Sequence, residues 1–416
     1  MKLAVIGGGS TYTPELADGI GRLLPEVQEL VLVDPDPDRL AVVGPVSARI
    51  VAAHDHPAEV RWTHDLDDGA DGADAILFQL RIGGQAARQR DETWPLDCGC
   101  VGQETTGAGG LAKALRTVPV VLDLAERARR RASPSAFIID FTNPVGIVTR
   151  ALLTAGHRAV GLCNVAIGFQ RGFASMLGVT PDRVSLGHVG LNHLTWERSV
   201  MVDGTDVLPE LLAKHAADIA PHTGLPPEFL RHLGMVPSYY LRYYYAHDAV
   251  VAQQRGAVTR AEEVARLETE LLELYADPAL EVKPPQLAQR GGAWYSEAAV
   301  DLLVSLAADR RDVQVVNTWN HGTLPFLPDD AVIEVPAVIG RDGAAPVPAA
   351  PVEPLLRGLI AHAFAYEELA LEAALRGGRE RVYDALLAHP LVGQADQAEC
   401  LTDRLLAENA QFLPWA

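Results

Sequence analysis

A chain of 416 residues exceeds what one hydrophobic core comfortably holds, so two domains or one extended two-part unit is expected. Hydrophobic content of 48% suffices for full burial, and 35 Lys and Arg against 54 Asp and Glu give a formal net charge of -19, which argues against general affinity for nucleic acid or anionic membrane. Any anionic substrate must therefore be met by a local cluster of arginines.

The cysteines Cys98, Cys100, Cys163 and Cys400 do not read as a disulfide framework, and no charged-then-apolar leader opens the sequence. No apolar run approaches the roughly 20 residues needed to span a bilayer. A reduced, cytoplasmic setting is the expectation.

The first element is an apolar run, Leu3 to Ile6, followed by Gly7-Gly8-Gly9-Ser10, and then Thr13-Pro14-Glu15, which predicts a helix capped by Thr13. A second run, "ELVLVD", ends in Asp34, where a dinucleotide-binding fold places the acid that meets the adenosine ribose. Gly7 and Gly9 satisfy the first two positions of G-x-G-x-x-G, but Tyr12 stands at the third. Asp34 favours a free 2'-hydroxyl, hence NAD over NADP, and Asp36 and Asp38 add to that preference, with Arg39 as a counterweight.

Further strands are predicted at "ADAILFQL", "SAFIIDF" and "RAVGLCN", with helices between them at Leu111 to Arg131 and Val145 to Ala155. This alternation predicts an α/β, Rossmann-like, doubly wound parallel sheet over residues 1–165. Residues 166–416 are expected to form a mixed, largely helical second domain that binds metal and substrate and carries the oligomer contacts. After the extended "VSLGHVGLNHLTWERSVMV" come predicted helices at Ala261 to Tyr275, Tyr295 to Ala308, Leu355 to Leu375 and Gln397 to Leu406.

Polar residues that could carry chemistry fall at strand ends and in Gly-rich turns. Cys163 and Asn164 close "GLCN", His193 lies in "GLNHL", and Asn143 precedes Pro144. Cys163 and His193 are too far apart for local metal-ligand spacing, so alone they also fit a small buried hydrophobe and a satisfied core histidine. Arg81, Arg88, Arg90 and Arg290 beside flexible backbone suit a phosphate clamp or a solvated turn. "MVPSYYLRYYY" packs Tyr239, Tyr240, Tyr243, Tyr244 and Tyr245 together, a helix with a core face and a pocket rim, or one holding a catalytic base.

In order along the chain, "IGGGSTYTPEL", "GQETTGAGG", "FTNPVG", "GLCNV", "GLNHL", "YLRYY", "RGG" and "VNTWNHG" resemble the NAD-dependent family 4 glycoside hydrolases, in particular their 6-phospho-β-glucosidase branch. That resemblance implies a lactate/malate dehydrogenase-like arrangement, with NAD on Gly7, Gly9, Ser10 and Asp34 and a divalent metal, most often Mn²⁺, on Cys163 and His193. It implies Tyr240 as catalytic base, with Tyr239 as the alternative one residue away, and Asn164 as a further catalytic and substrate-binding residue, where α-specific relatives carry Asp. Arg88 and Arg290 match the phosphate ligands, and Asn143 matches a residue on sugar hydroxyls or near the nicotinamide.

The implied reaction is oxidation at C3, removal of the C2 proton, elimination of the aglycone, hydration and re-reduction, on a small phosphorylated sugar and in a homo-oligomer. Arg242 or another arginine would help stabilise the phenolate. Ala166 replaces the proline that usually follows "CNV", which puts the metal turn in question, and His188 is either a supporting partner of the ligands or a bystander. The competing expectations are another glycosidase of the family, a 2-hydroxyacid dehydrogenase and a non-catalytic NAD-binding sensor.

Overall fold

The computed structural model describes residues 1–291 and 294–416; Gly292, the second glycine of the "RGG" stretch, lies outside the described residues. Five largely apolar segments and the polar edge segment Glu59–Thr63 form six parallel strands, β1 (Lys2–Ile6), β2 (Glu29–Val33), β3 (Glu59–Thr63), β4 (Ala75–Phe78), β5 (Phe137–Asp140) and β6 (Ala159–Gly161), in the order 3-2-1-4-5-6. That is the order of a dinucleotide-binding sheet, with the strand direction of travel reversing between β1 and β4. Leu3, Val5, Leu30, Leu32, Leu77 and Ile139 are all fully buried, as a sheet covered by helices on both faces requires.

Beyond β6 the sheet continues into the second half of the sequence. Strands β7 (Val184–Leu191) and β8 (Leu194–Val202) form an antiparallel hairpin, joined by β9 (Thr205–Asp206) and β10 (Val236–Pro237). Strands β11 (Asp312–Trp319), β12 (Val332–Gly340) and β13 (Gly343–Pro346) add antiparallel to β6, so the first sheet has nine strands among the described residues and crosses the 165/166 boundary. Strand β12 packs on β7, which brings the two sheets together. Helices fill most of the remaining second half, and the long helix Pro354–Arg376 lies against Gly107–Arg131.

Three local expectations are corrected. The first helix starts at Thr13, but Tyr12 occupies its cap, and the Thr13 hydroxyl donates to the Gly8 carbonyl (2.8 Å), closing the glycine turn instead of capping. The tyrosine segment is no single helix: Tyr239–Leu241 forms one 3-10 turn and Arg242–Tyr245 a short α-helical turn. Cys98 and Cys400 are joined by a disulfide, 302 residues apart in sequence with Cα atoms 5.9 Å apart, because helix Ala395–Asn409 lies against the turn Trp94–Cys98. Cys100 and Cys163 are free and buried. Among the described residues, no helix is long and apolar enough to cross a membrane.

Candidate active site

The carboxyl ends of β1, β4, β5 and β6 open into a cavity of about 630 Å³ whose walls include Ser10, Arg88, Asn143, Asn164, Tyr240 and Arg290. Gly7, Gly9 and Asp34 form the turn that carries Ser10. Gly7 adopts φ +91°, and a Cβ on Gly9 would come within 2.8 Å of the Asp34 carboxyl carbon, so glycine is required at both places. The Gly9 N–H donates to Asp34 Oδ2 (3.0 Å). Arg39 donates from Nε to the Gly9 carbonyl (2.9 Å) and lies 3.9 Å from Glu268, so this cation near Asp34 is already engaged.

One wall is strongly cationic. Glu104 is buried among Arg81, Lys113 (2.7 Å) and Arg88 (3.2 Å); burial pushes its carboxyl up, but the three cations outweigh this and hold it well below the usual range. Burial lowers the Lys113 ammonium to about 7 despite that carboxylate. Arg88 also donates to Glu92 (2.7 Å), whose other oxygen accepts from the Ala261 N–H (2.8 Å), so helix Gly84–Thr93 is tied to helix Arg260–Tyr275. Arg290 donates from Nε to Thr11 (2.8 Å) and from a terminal nitrogen to Glu268 (2.8 Å). Arg81, Arg88, Lys113, Arg260 and Arg290 face the cavity against the acids Glu92 and Glu104. In a chain of net charge -19 this is the local cluster that an anionic substrate needs.

Tyr240 also lines the cavity, and its ring stacks on the His193 imidazole, 3.6 Å between centroids and 10° between planes. Tyr239 is 41% exposed and its hydroxyl accepts from Arg242, which lies over the Tyr239 ring. Arg242 therefore serves Tyr239, and the cation that acts on Tyr240 is Arg88. Burial raises the Tyr240 phenol well above its ordinary value, Cys163, Tyr243 and Glu104 add to the rise, and Arg88 opposes it. Such a phenol ionises only if further positive charge comes to its oxygen.

His193 occupies the two-residue turn between β7 and β8 at φ 62°, an unusual conformation for a side-chain-bearing residue. The Thr105 hydroxyl donates to Gln103 Oε1 (2.9 Å), so its oxygen accepts from His193 Nδ1 (2.9 Å). This leaves the Nε2 lone pair for a metal. Burial lowers the imidazole to about 4, with Glu334 opposing and Lys113 reinforcing, and the ring is neutral as a ligand must be. Thr105 was not singled out from sequence; its place one residue after Glu104 in "GQETTG" was the available sign.

Cys163 follows β6 and contributes to the wall of a second cavity, of about 610 Å³. Its thiol is pushed up by burial and by Glu334, while the N–H of Val165, the Asn192 amide and the N–H of Asn164 point at the sulfur and partly offset this. Behind both candidate ligands runs a buried polar chain. His188 contacts Glu197 through Nδ1 (2.6 Å) and Glu334 through Nε2 (3.1 Å), and Glu334 Oε2 accepts from Asn192 (2.8 Å) and Asn317 (2.9 Å). His188 bridges these two buried acids, and burial, which lowers its pKa, is overcome by Glu197 and Glu334, which raise it to about 10.

Among the described residues no group of three or more His, Cys, Asp and Glu could hold a metal by itself. A thiolate and an imidazole are a donor pair that suits a borderline divalent ion, which would need further oxygen ligands to complete its set. The buried Asn143 Oδ1, an acceptor with no partner in the structure, marks a further polar point on the cavity wall. The Gly7–Gly9 turn with Asp34 beneath it fits an adenine dinucleotide.

Residues 2–179 match family 4 glycosyl hydrolases and residues 188–392 match the family 4 glycosyl hydrolase C-terminal domain. The chain belongs to glycoside hydrolase family 4. It is 39% identical over 433 positions to a probable 6-phospho-β-glucosidase of Bacillus subtilis, covering 100% of this chain and 97% of the relative. A 6-phospho-β-glucosidase of Escherichia coli is 35% identical, covering 100% and 96%. The crystal structure of the 6-phospho-β-glucosidase of Thermotoga maritima with NAD and glucose-6-phosphate superposes at TM-score 0.93 with 33% identity over 99% of each chain, and a form of that enzyme with manganese, NAD⁺ and glucose-6-phosphate does so at 0.93 with 32% identity, again over 99% of each. Malate dehydrogenase of Salinibacter ruber, at 17% identity and TM-score 0.54 over 92% of this chain and 99% of its own, shares the fold.

In this family 4 chain Ala166 lies buried in the first turn of helix Val165–Leu177, a place where proline is tolerated. The helix starts at Val165 without it, and Asn164 takes the cap position.

Proposed function

We propose that this chain hydrolyses 6-phospho-β-glucosides and requires NAD and a divalent metal, Mn²⁺ being the metal that the donor set and the manganese-bound relative support. The observation that carries the reading is the stack of Tyr240 on His193 at the edge of a cationic cavity above the parallel strands. When bound, NAD would supply the acceptor and later the donor of the C3 hydride, and a divalent cation held by Cys163 and His193 would supply Lewis-acid charge, so that the C3 ketone makes the C2 proton acidic.

The chain's own groups do the rest. Asp34 and the glycine turn hold the adenosine end of the dinucleotide, with Ser10 at the cavity wall. Arg88 and Arg290 grip the 6-phosphate, with Arg81 and Lys113 adding positive charge. Asn143 and Asn164 orient sugar hydroxyls, Asn164 in the manner of a β-specific site. Cys163 and His193 hold the cation. Tyr240 takes the C2 proton as phenolate, its ionisation assisted by Arg88 and by positive charge from the cation, and the aglycone leaves C1 by elimination; water then adds at C1 as a proton returns to C2, and hydride returns to C3.

The substrate phosphate does not cross a lipid bilayer unaided, so substrate, NAD and enzyme share one compartment, which supports a cytoplasmic setting. Division at 165/166 into an NAD-binding and a metal- and substrate-binding domain fits the position of the cavity, although the sheet bridges both. Leu355, Leu375 and Leu387, exposed at 61%, 52% and 38% on the C-terminal helices, support a homo-oligomer, to be read from its sedimentation mass.

The test is release of p-nitrophenol from its β-glucoside 6-phosphate and from the unphosphorylated β-glucoside, with and without NAD⁺ and Mn²⁺. Cleavage of the phosphorylated compound alone, dependent on both additions, is expected. Cleavage that needs neither cofactor removes the redox-elimination reading, and no cleavage with intact NAD⁺ binding turns the assignment toward another sugar, a dehydrogenase or a sensor.

A further inference from the structure

We propose that Glu334 is a positioning residue that sets the separation and orientation of Cys163 and His193, by tying the strand end that carries one and the turn that carries the other to a single carboxylate. The inference rests on the reading of those two residues as metal ligands.

Glu334 is 1% exposed on β12, where a charge interrupts the apolar run Val332-Ile333 and Val335. Its two oxygens accept from three segments: His188 Nε2 on β7, Asn192 Nδ2 in the turn beside His193, and Asn317 Nδ2 on β11. Asn317 lies opposite Glu334 in the β11–β12 ladder and opposite Gly161 in the β11–β6 pairing, two residues before Cys163. A Cβ on Gly161 would sit 2.9 Å from the Asn317 Cβ, so the strand end is pressed directly on that asparagine. From the other side the Asn192 amide serves both the Cys163 sulfur and Glu334. The remaining ring nitrogen of His188 is held by Glu197, which is fully buried.

The chemistry of these contacts calls for a carboxylate. Asn192 and Asn317 donate to one oxygen and protonated His188 to the other, so a carboxylate receives all three and pairs the imidazolium charge; a glutamine fits only with its NH₂ toward His188 and that ring deprotonated at Nε2, which gives up the charge pairing. A group that merely filled space between the sheets would not need a buried charge, which is costly to desolvate. Outer partners of metal ligands fix the ligand's orientation, and their loss typically weakens metal binding about 10- to 100-fold.

The experiment measures Mn²⁺ binding to the full chain without substrate, by electron paramagnetic resonance of free Mn²⁺, together with circular dichroism and the NAD⁺ dissociation constant. The Cys163→Ser/His193→Ala double variant tests the ligands themselves; Glu334→Gln and Asn317→Ala test the brace. Mn²⁺ affinity about 10- to 100-fold lower in Glu334→Gln and lowered in the same direction in Asn317→Ala, with fold and NAD⁺ affinity retained, is the expected result. Where Glu334→Gln does not fold, Asn317→Ala decides alone. Unchanged Mn²⁺ affinity in the folded brace variants, with binding lost in the double variant, overturns the role of Glu334 and leaves the ligands standing. Unchanged affinity in the double variant overturns the ligand reading, and the brace with it.

Discussion

The Tyr240 phenol lies flat against the His193 imidazole, so the proposed base and one proposed metal ligand form a single stacked unit. A cation on His193 Nε2 would therefore act on the phenol at close range, whereas Tyr239, turned outward onto Arg242, has no such neighbour.

Tyr240→Phe is expected to slow exchange of the substrate C2 proton with solvent by about 10²- to 10⁴-fold, the usual range for losing a positioned acid or base. Tyr239→Phe keeps exchange near the parent rate. The measurement is deuterium incorporation at C2 in heavy water; equal losses in both variants would remove the distinction.

Thr105→Val deletes the acceptor on His193 Nδ1 while keeping the side chain's shape. The imidazole then loses what fixes its tautomer, and half-saturation by Mn²⁺ is expected to rise about 10-fold or more. Activity titrated with Mn²⁺ should recover at high metal. Failure to recover would mean the substitution acts elsewhere.

Arg88→Ala and Arg290→Ala are expected to raise KM for the phosphorylated substrate, each by about 10-fold or more, since a charged hydrogen bond is worth about 1.5–3 kcal/mol. Inorganic phosphate as competitor provides the control, its inhibition constant rising in parallel with KM. Arg88→Ala should also lower kcat, because that guanidinium opposes the rise in the Tyr240 pKa.

His188 gives stability a signature in pH. Its folded pKa is raised to about 10 by Glu197 and Glu334 against the effect of burial. A raised histidine stabilises the fold fully below its unfolded pKa of about 6.5 and loses that contribution as pH rises through the folded value. Relative to His188→Gln, the unfolding free energy of the parent should be level below about pH 6.5 and fall from there to about pH 10. A parallel pair of curves would show that the ion pair does not form.

The Cys98–Cys400 link predicts a thiol count. Denatured, unreduced protein should give two thiols with Ellman's reagent, from Cys100 and Cys163, and reduction should release the other pair. Cys400→Ser is expected to cost about 2–4 kcal/mol of stability. Four thiols before reduction would show the pair open.

What the sequence made legible was whatever depends on short range. Strand, glycine turn and Asp34 predict the nucleotide sheet because each contact there spans a few residues or one βαβ step. The site pair Cys163 and His193 could be named only through the order of motifs, since spacing alone left both as core residues. Helix periodicity placed Ala261 to Tyr275 correctly, but Tyr239 and Tyr240 make a 3-10 turn that no 3.6-residue pattern reveals, with Tyr243 to Tyr245 in a separate short α-helical turn. Glu334 and Thr105 went unnoticed because their partners lie on other segments, and the disulfide for the same reason. A lone carboxylate in "VIEVPA" was the visible clue.

Strand β6 pairs with β11, which begins at Asp312, far behind β6 in the chain. During synthesis at about 5–20 residues per second, the parallel sheet is complete long before its neighbour leaves the ribosome. Throughout that interval β6 is a bare edge, the kind of template on which chains pair wrongly. A fragment ending near residue 165 should therefore aggregate rather than fold as a separable module, and the late arrival of β11 to β13 is the step that seals the molecule.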